Sequence, residues 1–160
     1  MIRARNMVVA ILLIAAASST QAWTLNLDLY QIDVPDGWTH SIEESNSEEL
    51  GDLVTLRPPD EDGDLKIMSY HAPVAITQDR LRSMTNVDRR INLAWQQWGE
   101  FAGYQYAYEE QGSFHLQWFL VNGNTLLLVT YQGAPTTKDR VAADLEPIIR
   151  SLAINPPPSR

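Results

Sequence analysis

Along residues 24–34 apolar side chains fall at every second position: Leu25, Leu27 and Leu29, then Ile32 and Val34 after a shift of phase at Tyr30-Gln31. Period-two alternation predicts a half-buried strand, and the shift predicts a bulge or a tight hairpin. Pro35-Asp36-Gly37 punctuates it. Three short strands are predicted next, Trp38 to Glu43, Leu53 to Arg57 and Leu65 to His71. Between the last two, Pro58 to Asp64 reads as a polar turn with two prolines.

From Thr77 to Trp98 the period changes. Leu81, Met84, Val87, Ile91, Ala94 or Trp95, and Trp98 recur every three or four residues, which predicts one face of a long helix. Thr77 suits its N-cap, Asp79 its positive end and Gly99 its stop. Asn86-Val87-Asp88 is the point at which it would break in two, with Asp88 restarting it. Strands return from Phe101 to Thr130: Tyr104, Tyr106 and Tyr108 alternate, then Phe114, Leu116, Trp118 and Leu120, then Leu126 to Thr130 as a short apolar run. Asn122-Gly123 between the last two is a strong hairpin signal. A final helix is predicted from about Thr137 to Leu152, with Val141, Leu145, Ile148, Ile149 and Leu152 on one face and a kink or restart at Pro147. Strands joined by short turns favour an antiparallel sheet, and two amphipathic helices need a sheet face each to bury against. The expectation is therefore α+β: an antiparallel β-sheet flanked by helices in an α/β/α sandwich.

The first residues change the picture of where the chain works. Met1 to Asn6 carries two arginines, Met7 to Ala17 is unbroken apolar sequence, and Ser18 to Ala22 is small and polar. This is the three-part layout of a secretory signal, with cleavage expected between Ala22 and Trp23. Eleven apolar residues would span only ~16 Å as a helix, about half a hydrocarbon core, so export and removal is favoured over a membrane anchor. The expected organisation is a signal peptide at 1–22, one α+β domain at 23–154 and a Pro-rich C-terminal tail at 155–160. No cysteine is present, which removes a disulfide framework, a thiolate nucleophile, sulfur-ligated metal and the lipid-anchoring cysteine of bacterial lipoproteins. The expected location is the periplasm, with no membrane anchor after signal removal.

Several of these features fall together in a known pattern. Tyr30-Gln31-Ile32-Asp33-Val34-Pro35-Asp36-Gly37-Trp38, a strand ending in a proline and then a tryptophan, resembles the opening of the Mog1/PsbP-like families. Val129-Thr130-Tyr131 and Ile148-Ile149-Arg150-Ser151-Leu152 match their late Tyr-bearing strand and their last helix. The resemblance would cover Leu25 to Ile154. It implies an antiparallel sheet sandwiched by helices and used mostly for binding without chemistry. Members include a nuclear Ran-binding protein, the lumenal extrinsic protein of photosystem II and DcrB-like bacterial envelope proteins, and the fold also looks like that of periplasmic type VI secretion immunity proteins. The export signal departs from the nuclear member, and the missing lipobox cysteine departs from the lipoproteins.

Charge and candidate chemistry narrow the function. The formal net charge is −8, and more negative still without Arg3 and Arg5, which opposes a nucleic-acid partner. Between Asp28 and Asp64 there are twelve carboxylates and a single cation, Arg57. Asp60, Asp62 and Asp64 suggest a calcium loop, but the sixth and twelfth positions counted from Asp60 are Leu65 and His71 instead of glycine and glutamate. His40, His71 and His115 lack ligand spacing. No metal and no cofactor are expected. Ser69 with His71, and Ser113 with His115, lie two apart on predicted strands, yet no Gly-x-Ser-x-Gly turn accompanies either pair. Carboxylate pairs can be drawn among Glu43, Glu44, Glu48, Glu49, Glu109 and Glu110, without a known separation. The chain reads as a binding protein, not an enzyme.

Its expected partner is a protein. The most concrete form is an immunity protein that occludes the active-site cleft of a toxic type VI secretion hydrolase, a secreted effector. The expected partner-binding residues are the acidic turn Asp60, Glu61, Asp62 and Asp64 and the hairpin Glu109, Glu110 and Gln111, where negative charge would speed encounter. Aromatic side chains from Trp95 to Tyr131 would add a hot spot where exposed, with Phe119, or alternatively Phe114 and Trp118, on the far face of the sheet. The alternative is a DcrB-like envelope-maintenance or small-ligand-binding protein with an aromatic pocket.

Overall fold

The computed structural model describes residues 21–155 apart from Glu48 and Glu61; the signal-peptide stretch at 1–20 and the tail at 156–160 lie outside the described residues. The expected phase shift at Tyr30-Gln31 is a hairpin. Strands β1 (Ala22–Asn26) and β2 (Tyr30–Pro35) pair antiparallel, Leu25 opposite Ile32, and the Leu27 N–H donates to the Tyr30 carbonyl at 2.9 Å. β3 (Thr39–Glu43), β4 (Leu50–Arg57) and β5 (Asp64–His71) follow as three antiparallel strands, with a register shift in β4 between Leu50 and Leu53.

Helix α1 (Gln78–Met84) begins as expected, the Thr77 hydroxyl accepting from the Arg80 N–H at 3.3 Å and Asp79 in the first turn. It ends far short of Trp98. Asn86 takes a left-handed φ of 56°, which stops the helix. The Arg82 guanidinium then donates to the carbonyls of Val87, Asp88 and Ile91 and to Thr85 Oγ1, at 2.9 to 3.0 Å. Asp88 does not restart a helix; its carboxylate is taken by the backbone N–H and guanidinium of Arg90. The three-to-four spacing from Leu81 to Trp98 is thus not a helical face, and its two ends pack in different hydrophobic clusters.

After that loop come β6 (Gln96–Trp98), β7 (Phe101–Glu110), β8 (Ser113–Asn122) and β9 (Thr125–Gly133). The β8–β9 turn uses Gly123 at φ 60°. In the β7–β8 turn both central residues, Gln111 at φ 51° and Gly112 at φ 77°, are left-handed, which matches the twist a two-residue hairpin requires. Pro135–Thr137 forms a 3-10 turn that leads into α2 (Lys138–Arg150), and β10 (Ala153–Ile154) returns to pair with β2. Pro147 sits inside α2, which runs on without a restart.

Two antiparallel sheets result, one of order β1-β2-β10 and one of order β3-β4-β5-β9-β8-β7-β6. On the first face of the larger sheet, Leu56, Leu65, Ile67, Leu116, Trp118, Leu120, Leu127 and Val129 meet Val141, Leu145, Ile148 and Ile149 of α2 and Ile32 and Val34 of β2. Trp98 and Trp118 pack edge to face at 6.1 Å, and the Arg150 guanidinium lies 4.7 Å above the Trp98 ring. Residues of opposite parity on the same strands, Leu126, Phe119, Leu128 and Val121, join Leu81 of α1, Ile76 and Tyr104 in a second cluster on the second face. The two helices therefore cover opposite faces, as the sequence led one to expect. Among the described residues no helix is long and apolar enough to cross a membrane.

Candidate binding face

The second face of the seven-stranded sheet divides in half. Toward one end, α1 and the segment around Ala72, Ile76 and Leu93 cover Tyr104, Val121 and Leu126. Toward the other end the strands continue and the cover stops. Register defines what lies there. One row across β4, β5, β9, β8 and β7 runs Arg57, Asp64, Gln132, His115, Tyr108. The next runs Thr55, Lys66, Thr130, Gln117, Tyr106. A concavity of about 590 Å³ sits over these rows, lined among others by Asp64, Lys66, His115, Gln117, Thr130 and Gln132.

Its chemistry is amide, hydroxyl and aromatic. Tyr106 stacks on Tyr108 at 5.5 Å, and Tyr108 stacks on His115 at 4.7 Å with the rings only 5° from parallel. The Gln117 amide donates to the Tyr108 hydroxyl at 3.3 Å, and the Gln132 amide to the Ser113 hydroxyl at 3.4 Å. All three rings are half-buried. Rings held against each other in this way lose little further freedom when something binds, which is what a preorganised contact surface needs.

The residues expected from sequence to meet a partner lie at this same end. The acidic turn joins β4 to β5, the hairpin joins β7 to β8, and the start of α2 reaches both. Their charge is largely compensated. Arg140 bridges Asp60 at 2.7 Å and Asp62 at 3.4 Å, Arg57 bridges Asp64 at 2.8 Å, and Lys138 bridges Glu109 at 2.9 Å. The hydrogen bond from Arg140 holds the Asp60 carboxyl below its ordinary range. Glu110 and Gln111 are exposed at the hairpin, and Glu61 lies outside the described residues. The turn is anchored beneath by Tyr131, whose hydroxyl donates to the Asp62 carbonyl; burial, helped by the Asp62 charge, pushes that phenol up to about 12. So the Asp60–Asp64 turn is a braced rim, its three described carboxylates each held by an arginine.

The serine–histidine pairs are engaged elsewhere. Ser69 is buried, while His71 is exposed with Nε2 3.1 Å from the Asn124 amide nitrogen. Ser113 accepts from Gln132 and His115 stacks on Tyr108. Among the described residues no three of His, Asp and Glu converge as a metal cluster. A second cleft of about 530 Å³ lies between β2 and α2, with Trp38, Pro58, Pro59, Asp36 and Asp144 in its walls.

Sequence reasoning singled out the Tyr104-Tyr106-Tyr108 alternation but not the face it belongs to. Phe114 and Trp118 are in the first core and Phe119 packs on the second, so the first of the two expected arrangements holds. The overlooked signal was polar: Lys66, Gln117 and Thr130 alternate with core residues on three strands, and neighbouring strands place them side by side.

No family model matches the sequence, and no curated protein matches it. Solved structures do. A protein of Bacteroides thetaiotaomicron matches at 14% identity and a TM-score of 0.55, over 79% of this chain and 45% of that one, so this chain spans under half of its length. LpqN of Mycobacterium tuberculosis, described as involved in cell envelope biogenesis, matches at 13% identity and a TM-score of 0.55, over 85% of this chain and 91% of LpqN. The solution structure of cyanobacterial PsbP from Synechocystis matches at 16% identity and a TM-score of 0.40, over 84% and 92%. At these identities the likeness is one of fold. The shared fold is α+β, antiparallel sheet with two helices, as the sequence led one to expect.

Proposed function

We propose that this chain works outside the cytoplasm, in the cell envelope, as a non-catalytic binding protein that holds a protein partner on the open half of its seven-stranded sheet. One observation carries the reading. The sheet is covered on its first face and on half of its second, while the remaining half presents stacked, half-buried rings among amides and hydroxyls beside a braced acidic rim. Tyrosine and arginine set in a partly desolvated surface are the side chains that dominate protein interfaces. The export signal read in residues 1–22 and the shared fold with LpqN, an envelope-biogenesis protein, support the location.

A finer form of the same reading is an immunity protein that blocks the cleft of a secreted toxic hydrolase. The Glu110–Ser113 turn favours it, because two left-handed residues make a short, stiff, exposed tip that can enter a cleft. The test is capture from the envelope fraction with the exported protein and with Tyr106→Ala/Tyr108→Ala. The wild type should retain one stoichiometric partner that the double variant loses. If the variant retains it equally, or if wild-type protein is found in the cytoplasm, the proposal fails. Should the partner be a toxic hydrolase of a neighbouring gene, loss of protection by a Gln111→Pro tip would establish the finer form.

A further inference from the structure

The outer edge of the seven-stranded sheet is closed for only part of its length. β6 pairs with Phe101, Ala102 and Gly103, and beyond Gly103 no strand among the described residues lies against the outer side of β7. The tight turns fix which backbone groups face outward. Glu110 and Ser113 flank a two-residue turn, so they form a hydrogen-bonded pair, and every second residue back along β7, Tyr108, Tyr106 and Tyr104, bonds to β8 in the same way. Trp98 and Phe101 flank the Gly99-Glu100 turn, so Phe101 and Gly103 bond to β6 instead. Continuing that phase, the N–H and C=O groups of Gln105, Ala107 and Glu109 point away from the sheet. Ala107 and Glu109 are exposed. The stretch Tyr104–Glu110 contains no proline or lysine, and of its two charges, Glu109 and Glu110, the first is held by Lys138.

We infer that this edge pairs with the same edge of a second copy of the chain, antiparallel about a two-fold axis at Ala107. The side chains fit that register. The smallest, Ala107, meets itself at the axis. Gln105 falls opposite Glu109 of the second copy, an amide against a carboxylate. Tyr106 falls opposite Tyr108 of the second copy, and Glu110 opposite Tyr104, so no two carboxylates face each other although each copy is acidic. Trp95, packed edge-on against Tyr104 at 5.2 Å, marks where the available edge ends. The contact is isologous and closes on itself as a dimer.

The second copy also enlarges the binding face. Tyr106 and Tyr108 stand on the open half of the sheet, and pairing places Tyr106 of one copy on the side of Tyr108 that His115 does not occupy. Two open half-faces become one surface across the axis. The inference stands on the edge geometry alone, and purified protein tests it without any partner.

The chain has no cysteine, so Ala107→Cys introduces a single thiol. At the axis of a hydrogen-bonded antiparallel pair the two Cα atoms sit about 5.5 Å apart, within disulfide reach. Mild oxidation should convert Ala107→Cys to a covalent dimer, while Ser41→Cys on the opposite edge strand β3 should stay monomeric. Sedimentation equilibrium of the wild type should show a concentration-dependent monomer–dimer equilibrium. Ala107→Pro removes only an outward N–H and leaves the β7–β8 bonds intact, so it should be monomeric with an unchanged circular dichroism spectrum. A wild type that is monomeric at every concentration, a dimer that persists in folded Ala107→Pro, or cross-linking at Ser41 in place of Ala107 would each overturn the inference.

Discussion

The two faces of the seven-stranded sheet are built from the same strands and differ in what lies on them. On the first, the middle of the sheet is packed with apolar side chains: Trp118 is 1% exposed, and Ile67, Leu120 and Val129 are fully buried. On the second, the same strands offer Lys66 and Thr130, both exposed, and Gln117, half-buried. Strand alternation thus lets one stretch of chain hold the fold with its odd or even residues and present a surface with the others. The lesson is a division of labour within single strands, not between domains or loops.

That division can be broken from the core side first. Trp118→Ala should cost ~3–5 kcal/mol by cavity formation, whereas Tyr108→Ala, one strand away on the open half, should cost less than ~1 kcal/mol. Urea unfolding of both variants measures the contrast; equal losses would mean the open half is part of the core. Next in size is Gly133→Ala, because a Cβ there would overlap the Tyr131 phenol. It should lose ~1–3 kcal/mol as overpacking, with the loss only partly relieved in the Gly133→Ala/Tyr131→Phe double variant, because the ring carbons at 2.7 and 2.9 Å remain.

Tyr131→Phe alone should cost about 1 kcal/mol, since the Asp62 carbonyl loses its donor. It also carries a pH signature. The phenol titrates near 10 when unfolded and near 12 when folded, so the folded state holds its proton longer. Stability from this group is complete below pH 10 and is lost as pH rises toward 12; Tyr131→Phe should lack that alkaline loss in melts across this range. The smallest effect is at the rim. Arg140→Gln should lower stability least of these variants, since both ion pairs are exposed, and added salt should shrink the difference in urea midpoints. Asp60 titrates below its ordinary 3.8, so its part of the bridge is intact above that pH and is lost as pH falls through the lowered value.

Legibility followed the range of the forces involved. The β1–β2 hairpin, the strands β3 to β5 and β7 to β9, and α2 were readable because each carries its own period and punctuation. The long helix at 77–98 was misread because spacing alone cannot tell a helical face from residues that pack in two separate clusters; Asn86 and the reach of Arg82 across the loop decide that. For the site, sequence identified two acidic segments, and the fold brings both to one end of the sheet. It gave no sign that Arg140 and Lys138, far along the chain, would pair with them.

What the chain determined by itself is local: where strands alternate, where turns need left-handed residues, where a helix is capped, and the signal-like pattern of its first 22 residues. Tertiary structure alone decided which half of the second face α1 would cover, and so which polar residues stand together. The reason is that α1 covers few strand residues while β7, β8 and β9 are nine or ten residues long. A short helix on long strands must leave part of the sheet open, and only the packed arrangement says which part.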